Sequence, residues 1–118
     1  MATNRLSAGA LDHRVTFQSP VQERDADGQL HQGWETAFEA WAAVKYLRGT
    51  EAVMQARMQS RSPAILTIRN SASSRRVTSE WRALVRDRSG VERVFELRED
   101  PRPTPGAAML EMLAESGA

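Results

Sequence analysis

Short runs of alternating residues between turn formers predict a mainly β protein: a small antiparallel β-barrel or sandwich of about five or six strands, with one short helix or long loop after the second strand. Three observations carry this prediction. Arg14-Val-Thr-Phe-Gln18 alternates with the period of a half-buried strand. Aromatic and β-branched residues gather in stretches bounded by Gly, Pro, Asp and Ser clusters. The chain carries neither a heptad pattern nor a repeat of solenoid length. Its 118 residues suit one domain with one core, 1–118, with a flexible N-terminus over 1–10 and a Pro-rich linker and tail over 100–118.

In chain order, the first strand holds Val15 and Phe17 on one face and Arg14, Thr16 and Gln18 on the other. Ser19 to Gly33 is polar, and its Asp25-Ala-Asp27-Gly28 run tolerates turn geometry, so this span reads as a long surface hairpin loop. Trp34 opens the return, and Ala37 to Leu47, with Trp41, Val44 and Tyr46, is the second strand. Gly49 ends it. Thr50 as N-cap and Glu51 at the positive end of a helix dipole then begin a short helix or ordered loop to about Gln59.

Beyond Pro63, Ala64-Ile-Leu-Thr-Ile-Arg69 forms a third strand. In 77–86 the residues Val77, Ser79, Trp81, Ala83 and Val85 share a face, and Asp87-Arg-Ser-Gly90 turns the chain into Glu92 to Glu99, where Phe95 and Leu97 point inward together. Asp100 to Gly106 holds three prolines and reads as a linker. The tail fits two periods. Met109, Met112 and Leu113 make a helical stripe, whereas Ala108, Leu110, Met112 and Ala114 make a strand face.

Composition narrows the function classes. With 16 Lys+Arg against 15 Asp+Glu, charge is near balance, so any nucleic-acid contact must be local. The absence of cysteine removes disulfides, thiolate metal sites and cysteine nucleophiles. No stretch approaches the roughly 20 apolar residues that span a bilayer, and Met1 to Gly9 lacks a signal-peptide pattern, so no membrane is expected as a partner and a cytoplasmic site of synthesis and assembly is expected.

Catalytic constellations do not emerge. His13 and His31 stand outside metal-ligand or nucleophile spacings, and the glycines fit no phosphate loop. Asp25 and Asp27 fail the calcium-loop pattern, because Leu30 and Thr36 stand where it needs Gly and an acid. The expectation is therefore no enzyme, no cofactor and no metal. Arg48, Arg57 and Arg61, interleaved with Met54 and Met58, remain as the unusual feature. They read either as a solvated helix face with methionines filling core gaps, or as phosphate contacts if the segment lines a passage.

Taken in order, Gly9-Ala-Leu11, Arg14-Val15-Thr-Phe17, Asp27-Gly28, Gly33-Trp34, Ala40-Trp41-Ala-Ala-Val44, Arg48-Gly-Thr-Glu51, Ile65 to Arg69 and Phe95-Glu-Leu97 with Asp100 resemble the phage head-tail joining family, the head closure or stopper proteins of tailed phages and gene transfer agents. The resemblance covers nearly the whole chain and departs most in Pro101 to Gly106 and the Met-rich tail, where it favours a last strand at about Ala108 to Ala114. It implies a virion subunit assembled in the bacterial cytoplasm, forming a homo-oligomeric ring between portal or adaptor proteins and tail terminator or tail proteins. Such a ring retains packaged double-stranded DNA, provides the tail docking surface and opens on ejection. Under it, Arg48, Glu51, Arg57 and Arg61 become the expected channel and gating segment, and Asp25, Asp27, Gly28, Met109 and Met112 the expected docking residues. The alternative is a small-barrel single-stranded nucleic-acid-binding protein, which needs exposed aromatic platforms; alternation expects Trp41, Trp81 and Phe95 to face inward, against that reading.

Overall fold

Val15 and Phe17 are fully buried while Arg14, Thr16 and Gln18 lie between them on the outer face, so the alternation of the first strand is also its burial pattern. The computed structural model describes residues 10–47, Met54 and 61–117. Its strands are β1 (His13–Arg24), β2 (Leu30–Tyr46), β3 (Arg61–Arg69), β4 (Arg82–Arg86), β5 (Glu92–Leu97), β6 (Arg102–Pro103) and β7 (Met109–Gly117). The expected Thr50 to Gln59 helix lies outside the described residues except for Met54, which is helical and exposed.

All strand pairs are antiparallel. β1 pairs with β2 and β4, β2 with β3, β3 with β7, β7 with β5, and β5 with β4, which closes a six-stranded barrel. β6 adds two residues to β7 at Leu110 and Glu111, beyond the stretch that β5 uses. The longest closing seam is β3 on β7, nine residue pairs from Arg61↔Gly117 to Arg69↔Met109. Closure removes the unpaired edges through which open sheets aggregate.

The interior is filled from every barrel strand: Val15 and Phe17 from β1, Ala42 from β2, Ala64, Leu66 and Ile68 from β3, Ala83 and Val85 from β4, Phe95 and Leu97 from β5, and Leu110, Met112 and Ala114 from β7. Four alanines among them, together with the large Phe17 and Phe95, suit a small barrel in which bulky and small side chains interleave. Phe17 stacks on Phe38 at 4.9 Å between ring centroids and 16° between planes, and Phe38 leans on Trp81 at 6.4 Å. Such pairs add to burial through the ring quadrupoles.

Four expectations are corrected. The polar span 19–33 is not a long loop, because β1 continues to Arg24 and β2 starts at Leu30, leaving only a tight turn between them. The strand expected over 77–86 shortens to Arg82–Arg86, since Trp81 N–H donates to the Thr78 carbonyl in a turn; before it Ser74–Arg76 forms a 3-10 turn in which Ser71 and Ser74 hydrogen-bond reciprocally and Ser74 is buried. The linker at 100–106 contains β6, with Arg102 and Pro103 opposite Glu111 and Leu110. The fourth correction concerns Trp41, which is 53% exposed on the outside of the barrel, while Phe95 is buried and Trp81 half-buried against the core. For the tail the strand face wins: Leu110, Met112, Ala114 and Ser116 turn inward.

Candidate functional site

A two-stranded arm projects from the barrel. The outer parts of β1 and β2 pair from Gln18↔Thr36 to Arg24↔Leu30, and residues 22–32 are all exposed. Polar side chains on both faces suit a ribbon wetted on both sides, held by its backbone ladder. A register shift between Phe17 and Gln18 leaves Ala37 as an extra residue on β2, the place where the buried sheet passes into the arm. With the arm the molecule measures 59 × 36 × 27 Å.

The tip is built by Asp25. Its Oδ1 accepts the backbone N–H groups of Asp27 and Gln29, and its Oδ2 lies 2.6 Å from His31 Nε2. These contacts stabilise the carboxylate, so the Asp25 pKa falls below its ordinary value, the His31 bond being the largest cause. Gly28 sits at φ 82°, and Arg24 donates to its carbonyl at 3.1 Å. The β4–β5 turn repeats this chemistry: Asp87 Oδ1 accepts from Ser89 and Val91 N–H, the Ser89 hydroxyl lowers the Asp87 pKa, and Gly90 has φ 88°. Beside the arm lies a groove lined by Pro20, Val21, Leu30, His31 and Glu80, with Leu30 55% exposed.

The expected site residues therefore separate. Asp25, Asp27 and Gly28 come together at the arm tip, where Asp25 is occupied in shaping the turn. Met109 is half-buried at the start of β7, whereas Met112 has no exposure and belongs to the core, so a surface at the tail cannot include it. Arg48, Glu51 and Arg57 lie outside the described residues. Arg61 begins β3 and lies 3.6 Å from Glu115 on β7, across the closing seam.

That seam carries an ionic cluster which the sequence did not reveal. Glu96 and Glu115 face each other on β5 and β7, a repulsive placement. Arg98 bridges them, 3.4 Å from Glu96 and 3.5 Å from Glu115. Glu115 Oε2 is buried with no hydrogen bond, held only by the Arg98 and Arg61 guanidiniums. Two further pairs mark the outer wall: Arg14 lies over Trp41 at 5.2 Å, and Arg82 over Trp34 at 4.5 Å while donating to Gln18. In each pair the guanidinium covers one face of the ring.

Among the described residues no group of three His, Asp or Glu is placed to hold a metal, and no helix is long and apolar enough to cross a membrane. Sequence comparison decides the kind of protein: the phage head completion protein family matches residues 6–117. The chain belongs to that family. Head completion proteins are structural components of phage heads, as the resemblance in the sequence implied. The barrel is also similar to the solution structure of a Shigella flexneri 2a protein, at 26% identity and TM-score 0.70 over 96% of this chain and 98% of that one. A chain from the virion of a native gene transfer agent particle shares the fold at 19% identity and TM-score 0.56, covering 88% of this chain and 93% of that one. No curated protein matches the chain.

Proposed function

We propose that this head completion protein assembles as a ring between the portal or adaptor and the tail, retains the packaged DNA and offers the surface on which the tail docks. The projecting arm carries this reading. A closed barrel has no free barrel edge through which copies could extend its sheet, and the arm is the feature that projects from it toward a neighbour. An arm reaching from one subunit to the next gives a head-to-tail contact, and such contacts close into a ring when the rotation between copies permits. Exposed Leu30 and the groove beside it supply an apolar anchor for that contact.

Within the ring, the segment with Arg48, Glu51, Arg57 and Arg61 faces the channel and closes it, with the arm tip at Asp25, Asp27 and Gly28 and the tail near Met109 meeting neighbouring proteins. The Arg61 to Glu115 pair engages part of that side chain's charge inside the subunit.

Removing the protein from its particle is the test. The expected result is heads that package DNA but remain tailless and lose it; normal tailed particles formed without the protein would overturn the proposal. A variant with Gln22 to Gln32 replaced by a short turn should fold yet fail to enter particles.

A further inference from the structure

Between Glu51 and Glu80 the sequence holds five arginines and no acid, which leaves 11 cations against 15 acids in the rest of the chain. The near-neutral total therefore conceals a basic segment centred on β3. Elsewhere most of the described arginines are locally answered: Arg14, Arg86, Arg88, Arg98 and Arg102 lie at ion-pair distance from a carboxylate, as does Arg61 at the start of β3, while Arg24 and Arg82 are engaged by the Gly28 carbonyl and by Gln18 and Trp34. At the other end of β3 the pattern changes. Arg69, Arg75 and Arg76 are exposed and, among the described residues, have no acidic partner.

The loop that carries them is held in place. Asn70 Nδ2 donates to the Ala107 carbonyl and its backbone N–H to that of Ala108, which ties the loop to the start of β7. Arg75 donates to Asn70 Oδ1 at 2.9 Å. The reciprocal Ser71 and Ser74 bonds fix the 3-10 turn, and Val77 anchors it in the core. Three arginines are thus presented from a set backbone, so little backbone ordering opposes a ligand.

The character of the loop selects the ligand. Its other side chains are Asn70, Ser71, Ala72, Ser73 and the buried Ser74; no exposed aromatic or large aliphatic group lies among them. Protein interfaces centre on such anchors, and single-stranded nucleic acid needs rings to stack on. A duplex backbone needs neither, only forked cationic donors that meet phosphate oxygens.

We infer that Arg69, Arg75 and Arg76 form a contact for the phosphate backbone of double-stranded DNA, read without base specificity. The inference rests on the proposed ring only for where the DNA lies. In that setting β3, with Arg61 at one end and Arg69 at the other, runs along the passage and brings both arginine groups to the same duplex.

The test is a titration of the isotope-labelled full chain with a short mixed-sequence duplex, followed by NMR and repeated at rising salt. Amide shifts should map to 69–76, and the triple variant Arg69→Gln, Arg75→Gln, Arg76→Gln should lose them while keeping a folded spectrum. Three phosphate contacts correspond to a salt slope of roughly −2.7, or about 40-fold weaker binding between 50 and 200 mM salt. A control triple of equal charge change, Arg86→Gln, Arg88→Gln, Arg93→Gln, should retain most of the affinity. Equal loss in both triples, no shift at 69–76, or stronger binding of single strands through Trp34 and Trp41 overturns the inference. Loop binding by a protein that forms no ring would defeat the proposed function alone, whereas a ring whose loop ignores duplex DNA would defeat only this inference.

Discussion

Replacing Phe17 by alanine removes a large side chain of the barrel core, next to the point where the arm begins. Phe17 is fully buried, and its ring stacks on Phe38 at 4.9 Å. Truncating a buried phenylalanine costs about 3–5 kcal/mol in lost burial and residual cavity. A domain of this size is stable by roughly 5–15 kcal/mol, so the variant should stand near the limit of folding. At about 4 °C per kcal/mol, its melting temperature should fall by roughly 12–20 °C. Phe38 is only partly buried, and Phe38→Ala should cost less, about 1–2 kcal/mol. The stack itself is tested by combining the two substitutions, because an offset aromatic pair contributes roughly 0.5–1.5 kcal/mol beyond burial and the double variant should lose that much less than the sum. Urea denaturation followed by tryptophan fluorescence measures all three. A cost under about 1 kcal/mol for Phe17→Ala would refute its place in the barrel core, and strict additivity with Phe38→Ala would refute the stack.

Other outcomes follow from the arm and the seam. Gly28→Ala forces a side chain into φ 82° and should cost about 1 kcal/mol, while Gly33→Ala needs only the flexible end of Glu23 to move and should be tolerated; thermal melts of the two variants check the contrast. Because the Asp25 pKa is depressed, its contribution to the arm tip is fully present above the ordinary value of 3.8 and is lost as pH falls through the lower folded value. The Asp27 and Gln29 amide resonances should report this, and a transition above pH 3.8 would contradict it. Arg98→Ala leaves Glu96 and Glu115 facing each other without their bridge and should cost about 1 kcal/mol, with part restored by adding Glu96→Gln in a denaturation cycle.

Most of the barrel was legible because its strands are wet on one face and dry on the other. Val15 with Phe17, Phe95 with Leu97, and the small residues of the tail alternate with polar neighbours, and all these residues face the core except Ala108, which lies outside β7. The arm was not legible, since a ribbon exposed on both faces has no alternation to read, and its Asp and Gly content resembles a loop. Trp41 misled for a related reason. The inward phase of β2 is carried by Phe38, Ala40, Ala42 and Val44, mostly small groups, and the largest side chain stands on the outward phase, where Arg14 covers it. The Arg98 bridge was hidden because it joins strands distant in sequence. The tight turns at Asp25 and Asp87 share the signal Asp-x-x-Gly, which set the second hairpin correctly and marked only the tip of the first.

The central claim is that this head completion protein closes the head as a ring at the tail junction. Cryo-electron microscopy of particles that carry it tests this most directly. The account predicts a ring of copies between portal and tail, each arm reaching its neighbour and β3 turned toward the DNA. Density for the protein elsewhere in the particle, or a junction complete without it, would contradict the account.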